Sequence, residues 1–207
     1  MKVFGEERLN TYFSNNQCAP AIGSLSGGGY VVAWVSDGQD GSVDGLYAQR
    51  LDANGVGIGA EFRVNTTTGN YQNDPALVGL SNGGFLIVWA DNVADGSSWG
   101  VFGQRYDATG VAQGNEFRIN SYTANDQGQP SIAAYDGGFV VTWYSNGEDG
   151  SGYGVYSQWH YLKVISTNIH TVEAGWIKMS HLGRSGFRSS LDSTACMASL
   201  ATVIPFS

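Results

Sequence analysis

The stretch SDGQDGSVDG, residues 36–45, carries three carboxylates, at Asp37, Asp40 and Asp44, among three glycines. It recurs as DNVADGSSWG at 91–100 and as SNGEDGSGYG at 145–154, with the same Asp-Gly-Ser core. The alternating Asp ligands and distal Glu of an EF-hand calcium loop are missing. The pattern favours a tight turn, in which the Asp caps backbone N–H groups and the glycine takes a positive φ. A weak calcium site is the alternative, with ligands from Asp40, Asp95 and Asp149.

Close to each of these turns lies a variable position, which is occupied by Asp44, Trp99 or Tyr153. Another segment of each copy carries an amide pair, which is Asn15 and Gln17 in the first copy. An aromatic ring can pack on the C–H face of a sugar while amides and carboxylates bind its hydroxyl groups. The pattern predicts a rim that binds glycans; the alternative is that the rings only cover a joint between structural units. The predicted ligand-binding residues are Asp40, Asp95, Trp99, Asp149, Tyr153, Asn70, Gln72, Asn125 and Gln127.

These segments belong to a unit of 55 residues that occurs three times in the chain of 207 residues. The same spacing of 55 residues separates Asn10, Asn65 and Asn120, and also Pro20, Pro75 and Pro130. We assign residues 1–158 to three tandem repeats, at 6–60, 61–115 and 116–158.

Four strands separated by glycine turns are predicted in each unit, at 61–65, 75–80, 85–89 and 100–107 of the second copy. In EFRVN, residues 61–65, the polar residues Glu61, Arg63 and Asn65 alternate with apolar ones and are predicted to face water. FLIVW, residues 85–89, is apolar on both faces and should be covered on both sides. A repeated unit of four strands is typical of a β-propeller blade.

The predicted fold class is therefore all-β and β-propeller-like, with three four-stranded blades of about 55 residues. Propellers typically have about four to eight blades, so we expect a partial propeller or one that a second copy completes. An open β-sandwich or a solenoid is the structural alternative.

Residues 159–207 do not follow the repeat. They hold all three histidines and have a net charge of +2, whereas residues 1–158 have a net charge of -10. We interpret this tail as unrelated to the repeat, and as the product of a shifted reading frame or the end of a gene fragment.

The overall composition excludes several classes of function. A net charge of -8 disfavours nucleic acid as a partner, because binding phosphates needs a basic patch. The two cysteines can form neither a disulfide framework nor a four-ligand zinc site. Since no segment is long and apolar enough to span a bilayer, we predict no membrane insertion. Apart from calcium, we expect no cofactor.

The repeats contain no histidine and no nucleophile elbow, and their Asp-Gly-Ser carboxylates occupy equivalent places in successive blades. A catalytic site needs unlike groups in distinct roles. We therefore predict that the protein is not an enzyme but a binding module, carbohydrate-binding or adhesive, with several weak sites that gain from avidity. A structural spacer without a ligand is the alternative, and a fragment of a propeller enzyme is the least favoured reading.

The run GG(F/Y)(V/L)(V/I)xW…DGS…YGVYxQRxDxxG…EFRxN resembles a tandem repeat of large secreted bacterial proteins, which often carry RTX-type or cadherin-like modules elsewhere. The resemblance covers residues 6–158 and is carried by 84–89, 104–110, 116–120, 138–143 and 149–158. It implies an extracellular or cell-surface location and an adhesive or carbohydrate-binding role. The RTX nonapeptide Gly-Gly-x-Gly-x-Asp is absent from this sequence, so the calcium binding of RTX modules does not transfer to it.

Overall fold

The computed structural model describes residues 5–92, 94–164 and 174–178, and every regular element in these ranges is a β-strand. Blade 1 consists of β1 (Gln17–Ser24), β2 (Tyr30–Asp37), β3 (Asp44–Leu51) and β4 (Gly57–Arg63). Blade 2 consists of β5 (Gln72–Gly79), β6 (Phe85–Asn92), β7 (Trp99–Tyr106) and β8 (Phe117–Arg118). Blade 3 consists of β9 (Gln127–Tyr135), β10 (Gly138–Asn146), β11 (Tyr153–Val164) and β12 (Ala174–Lys178).

Each blade is a four-stranded antiparallel sheet in which the strands follow one another in chain order. The first strands of the three blades are neighbours, because β1 contacts β5 and β5 contacts β9. The sheets are thus arranged with their first strands innermost. This is a β-propeller-type fold with three blades, which confirms the predicted fold class.

Apolar side chains fill the two joints between the blades. The second strand of blade 2 is buried along its length, and Phe85, Ile87 and Trp89 join a cluster with blade 1 residues such as Val31 and Leu46. The alternate side chains of the same strand face the other way and pack against blade 3. The prediction that this strand is covered on both sides is confirmed.

The innermost strands approach one another closely, and this requires small residues. A Cβ added to Gly79 would lie 2.1 Å from the carbonyl oxygen of Ser24 in the neighbouring blade. A Cβ added to Gly23 would lie 2.5 Å from Cδ1 of Leu77. Substitution of Gly79 would therefore force two backbones apart, since the nearest atom belongs to the main chain rather than to a flexible side chain.

Each inner strand begins with an irregularity of its pairing with the second strand, as between Asn73 and Ala76 in blade 2. One residue at each irregularity has a left-handed backbone: Ala19 has φ 48°, Asp74 has φ 53° and Gln129 has φ 48°. The same bulge thus occurs three times with three different side chains.

A buried asparagine connects each of the first two blades to the next. Asn65 is 1% exposed, and its Oδ1 accepts a hydrogen bond of 2.8 Å from the N–H of Leu46 in β3. Its Nδ2 donates to the carbonyl of Thr67 at 2.7 Å and to Oε1 of Gln72 in blade 2 at 3.1 Å. The prediction that Asn65 faces water is wrong, because β4 ends at Arg63 and the alternation of faces ends with it.

Asn120 repeats this arrangement between blades 2 and 3. It accepts a hydrogen bond of 2.8 Å from the N–H of Val101. It donates to the carbonyl of Tyr122 at 2.7 Å and to Oε1 of Gln127 at 3.0 Å. We call these contacts the asparagine bridges, after Asn65 and Asn120.

Glu61 and Glu116 also bind the loop through which the chain enters their own blade. Glu61 accepts a hydrogen bond of 2.7 Å from the N–H of Thr11, and Glu116 accepts one of 2.8 Å from the N–H of Thr66. Glu116 further accepts a bond of 2.7 Å from the hydroxyl of Thr67. These carboxylates fix loops in place rather than only facing water.

The third blade extends beyond the predicted repeat boundary at residue 158. Its strand β11 continues to Val164, and β12 is formed by Ala174–Lys178. His160 is buried and its ring stacks on Phe139 at 4.6 Å, as Tyr106 stacks on Phe85 at 4.8 Å in blade 2. His160, near the start of the tail, therefore occupies the position in blade 3 that Tyr106 occupies in blade 2. The interpretation of the tail as a shifted reading frame concerns residues that lie mainly outside the described ranges.

Asn65→Ala should destabilise the protein strongly. The substitution leaves the N–H of Leu46 and the side chain of Gln72 buried without this partner. Because an unsatisfied buried group costs about 1–3 kcal/mol, we expect the free energy of unfolding to fall by about 2–4 kcal/mol. Denaturant unfolding followed by fluorescence measures this change.

The control is Asn54→Ala in an exposed turn, which should change the free energy of unfolding by less than about 1 kcal/mol. Equal stability of the Asn65→Ala and Asn54→Ala variants would show that the asparagine bridge contributes no more than a surface turn.

Candidate functional site

Two sets of loops lie at the same end of the blades. The loop before each inner strand hydrogen-bonds the end of the second strand, as between the N–H of Asn92 and the carbonyl of Tyr71 at 3.0 Å. The equivalent bonds run from Asp37 to Asn16 and from Asn146 to Asp126, each at 2.9 Å. We call this end of the molecule, formed by these loops and the Asp-Gly-Ser turns, the rim.

The Asp-Gly-Ser segments form tight turns on the rim. The Asp Oδ1 accepts a hydrogen bond from the Ser N–H two residues later, at 3.0 Å for Asp40, 3.1 Å for Asp95 and 3.0 Å for Asp149. The glycine between them has a positive φ of 87° to 91° in each turn. This is the turn geometry that the sequence favours over a calcium loop.

Calcium binding by Asp40, Asp95 and Asp149 stays a prediction. The three residues lie in the turns of three different blades. In the described ranges there is no group of three or more His, Cys, Asp or Glu side chains that could hold a metal ion. A calcium ion at one of these turns would therefore depend largely on carbonyl oxygens.

The predicted aromatic residues lie at the rim ends of the third strands. Trp99 begins β7 and is half-buried, whereas Tyr153 begins β11 and is 68% exposed. The ring of Tyr153 packs edge-on against Tyr144 with 5.4 Å between the ring centroids. Sugar binding by Trp99 and Tyr153 stays a prediction, for which Tyr153 offers the larger accessible surface.

The predicted amide residues differ in their exposure. Gln72 and Gln127 are fully buried, because each accepts the hydrogen bond of an asparagine bridge and donates to a carbonyl of its own loop. Asn70 and Asn125 are exposed and have left-handed backbones, with φ of 65° and 58°. The structure thus gives Gln72 and Gln127 no amide group that a rim ligand could reach.

A different set of carboxylates distinguishes the blades from one another. Asp44 stands where the other copies have Trp99 and Tyr153, and Asp74 where they have Ala19 and Gln129. Asp91 replaces Ser36 and Ser145, and Asp126 replaces Asn16 and Tyr71. These four carboxylates are Asp44, Asp74, Asp91 and Asp126. Asp74, Asp91 and Asp126 are not among the predicted site residues, because they do not recur in the other copies; this departure from the repeat is the signal that identifies them.

Asp44 lies where blades 1 and 2 meet on the rim, and its backbone forms a β-bridge with Tyr71. Burial raises the pKa of its carboxyl group, and the negative charges of Asp37 and Asp40 raise it further. A hydrogen bond from the side chain of Asn73 acts in the opposite direction. Asp44 is therefore the half-buried rim carboxylate whose environment favours the protonated form.

Asp74 follows Asn73 directly and is exposed at the bulge of β5. Burial raises the pKa of Tyr144 in blade 3, and the charges of Asp126 and then Asp74 raise it further. Asp126 in turn accepts a hydrogen bond from the hydroxyl of Ser98. Asp74 and Asp126 therefore act on one tyrosine at the joint of blades 2 and 3. The rim end of β5 therefore has Asp44 on the side of blade 1, and Asp126 on the side of blade 3.

Asp91 lies beneath the rim and is 1% exposed. Burial raises the pKa of this carboxyl group from 3.8 to about 6, although hydrogen bonds from Gln72 and from the N–H of Ala94 lower it. Through Gln72 it is connected to the asparagine bridge of Asn65. Because Asp91 is buried, it cannot contact a ligand on the rim. It can affect the rim through its charge and through its hydrogen bond with Gln72.

Asp91→Asn should change the pH dependence of stability. The folded-state pKa lies above the ordinary value of 3.8, so the stabilising contribution of the protonated form is fully present below about pH 4 and is lost as the pH rises through about 6. We expect the free energy of unfolding of the variant not to decrease over this pH range. At pH 7 the variant should be more stable than the wild type by about 1–3 kcal/mol. Unfolding by denaturant between pH 4 and pH 8 measures the effect.

The matched control is Asp136→Asn, which removes an exposed carboxylate from a turn at the opposite end of blade 3. Parallel pH profiles for the Asp91→Asn variant and the wild type would contradict a raised pKa for the buried Asp91.

No protein-family model matches the sequence, and no curated protein is significantly similar to it. Solved structures match the fold. The chain is similar to an exo-1,5-α-L-arabinanase from a bovine ruminal metagenomic library, with a TM-score of 0.52, 12% identity, and coverage of 81% of this chain and 59% of that one. A thermostable family-43 glycoside hydrolase matches with a TM-score of 0.49 and 9% identity, over 83% of this chain and 62% of that one.

An endo-1,4-β-xylanase from Bacteroides thetaiotaomicron matches with a TM-score of 0.47 and 14% identity, over 84% of this chain and 64% of that one. The chain spans about three fifths of the length of these structures. At such identities the likeness to the arabinanase shows the β-propeller fold.

The predictions of a binding module and of a protein that is not an enzyme are corrected by this comparison. A solved structure that shares the fold, the exo-1,5-α-L-arabinanase, is an enzyme, so the fold does not argue against enzymatic activity. The physical argument for a binder relied on the equivalent carboxylates of the Asp-Gly-Ser turns. It did not include Asp44, whose position differs between the copies, or Asp74 of the neighbouring blade, which follows the residue that hydrogen-bonds Asp44. In the described ranges there is also no helix with the length and apolarity needed to cross a bilayer.

Proposed function

We propose that the chain is part of a carbohydrate-active enzyme that hydrolyses glycosidic bonds of a polysaccharide. The observation that carries the proposal is the group of unlike carboxylates at the rim end of β5, on a β-propeller scaffold. Glycoside hydrolysis generally uses two carboxyl groups, one that donates a proton and one that acts as base or nucleophile. The groups proposed for these roles are Asp44 and Asp74.

Asp44 is the proposed proton donor. Its raised pKa keeps a larger fraction of the carboxyl group protonated, as a general acid requires. Asp74 is the proposed second carboxylate, because it is exposed on the neighbouring inner strand next to the residue that hydrogen-bonds Asp44. The exposed rings of Tyr71 and Tyr153 would support the sugar units on either side.

The proposed substrates are polysaccharides of the arabinan and xylan type, after which the arabinanase and the xylanase among the similar structures are named. We further propose an extracellular or cell-surface location, because such polymers are met outside the cell. The resemblance of residues 6–158 to repeats of secreted bacterial proteins supports the same location.

The proposal predicts release of reducing sugar from arabinan or xylan by the purified chain. Asp44→Asn and Asp74→Asn should each lower the rate by about 100-fold or more, because each removes a group that transfers a proton or stabilises charge in the reaction. Circular dichroism and thermal melting check that both variants fold.

Asp136→Asn, which removes a carboxylate at the end opposite the rim, should keep the wild-type rate. Absence of hydrolysis of both polymers by the wild type, or wild-type rates for both rim variants, would contradict the proposed activity.

A further inference from the structure

The two joints within the molecule show what a blade of this protein requires from its neighbour. On the side of blade 2 that faces blade 3, Leu86, Val88 and Val101 are fully buried. The equivalent positions of blade 3 are Val140, Thr142 and Val155, which face away from blade 2. Val140 and Thr142 are partly exposed, and Val155 is 86% exposed. In the part of the chain that the structure describes, blade 3 therefore carries the apolar face of a joint that no further blade covers.

Blade 3 also differs from blades 1 and 2 along the outer edge of its third strand. In blade 1 the N–H of Val64 donates to the carbonyl of Leu46 at 2.8 Å, and the N–H of Leu46 donates to Asn65. Ile119 and Asn120 do the same for Val101 in blade 2. In blade 3 the equivalent of Leu46 is Val155. Within the described ranges β12 pairs with β11 only at 160–164, so no segment forms these bonds with Val155.

The segment that would form them occurs at the start of the chain. EERLN, residues 6–10, aligns with EFRVN at 61–65 and EFRIN at 116–120. Leu9 corresponds to Val64 and packs on an apolar cluster of blade 1 that includes Trp34. In the described structure this segment belongs to no strand. It aligns with segments that pair with the third strand of a blade, and within the described ranges it pairs with no such strand.

Residues 6–10 are already held against blade 1 as 61–65 are held against blade 2. The N–H of Thr11 donates to Glu61 at 2.7 Å, as that of Thr66 donates to Glu116 at 2.8 Å. Asn10 donates to Gln17 at 3.3 Å, as Asn65 donates to Gln72 at 3.1 Å. The asparagine bridge into blade 1 is therefore formed on one side only.

A cavity of about 250 Å³ lies beside this segment and is lined by Leu9, Asn10, Val32 and Trp34 among others. At the joint of blades 1 and 2, Leu46 belongs to the buried cluster that also contains Val64 and Trp89, the equivalents of Leu9 and Trp34. The cavity thus lies where a residue equivalent to Leu46 would pack. Val155, the exposed equivalent of Leu46, lies at the opposite end of the row of blades.

We propose that two copies of the chain join end to end in a closed ring of six blades. Residues 6–10 of each copy pair with β11 of the other around Val155, along the part of its edge that β12 leaves open, and Val155 enters the cavity beside Leu9 and Trp34. The second copy is the proposed occupant because the two faces repeat the internal joints residue for residue. Six blades lie within the usual range of propellers, and two identical contacts related by a twofold axis close the ring. The proposal does not depend on the enzymatic activity.

The solution mass of the full chain tests this ring. Light scattering on a size-exclusion column should give twice the chain mass of 22.0 kDa. Val155→Asp should give the mass of a single chain with an unchanged circular dichroism spectrum, because the side chain is exposed within one copy and buried in the proposed joint. Val111→Asp, at an exposed turn away from the joint, should retain the double mass. A single-chain mass for the wild type, or larger open assemblies, would overturn the proposal.

A cysteine pair tests the register of the joint. Phe62 pairs with Ala48 in blade 1, and the equivalent positions across the proposed joint are Glu7 of one copy and Ser157 of the other. In a Cys18→Ser/Cys196→Ser background, oxidised Glu7→Cys/Ser157→Cys protein should form covalent dimers on a non-reducing gel. The mismatched pair Glu7→Cys/Val111→Cys should not. Failure of the matched pair to form more dimer than the mismatched pair would overturn the proposed register.

Discussion

The asparagine bridges are the contacts on which the arrangement of the blades depends. Each blade has its own backbone ladder, but neighbouring blades share only side chains and a loop. Asn65 replaces a backbone partner for Leu46 and at the same time binds Gln72 of the next blade. Because its three hydrogen bonds are buried, the next blade cannot shift without leaving polar groups unsatisfied. Gln72 continues the contact to Asp91, so the position of a blade and the charge beneath the rim are connected.

Much of the fold could be predicted from the sequence, because repeats and alternation report directly on strands. The segment 85–89 was assigned as a strand covered on both sides, and Phe85 to Trp89 are buried. Asn65 could not be placed in the same way. A period of two residues holds only while the strand lasts, and β4 ends two residues before Asn65. Beyond the end of a strand, the burial of a side chain depends on the neighbouring blade. Alternation within the strand does not report on that blade.

The candidate site was harder to predict for a related reason. Comparing the copies selects residues that the common fold needs, and the structure gives Asp40 and Gln72 such roles in a turn and in an asparagine bridge. Residues in one copy only are lost in this comparison, although they can create the asymmetry that catalysis requires. That Asn73 of blade 2 reaches Asp44 of blade 1 depends on the register between blades 1 and 2. No short stretch of the sequence predicts that register, because it is set by contacts between residues that are far apart in the chain.

At the bulge that begins each inner strand, the backbone conformation does not depend on which side chain is present. Ala19, Asp74 and Gln129 hold nearly the same backbone angle, although one is apolar, one is charged and one is an amide. The strain of a left-handed residue is therefore accepted three times whatever the side chain. Such a position is open to evolution and to design, because the chemistry at the centre of the rim can be exchanged while the scaffold is kept.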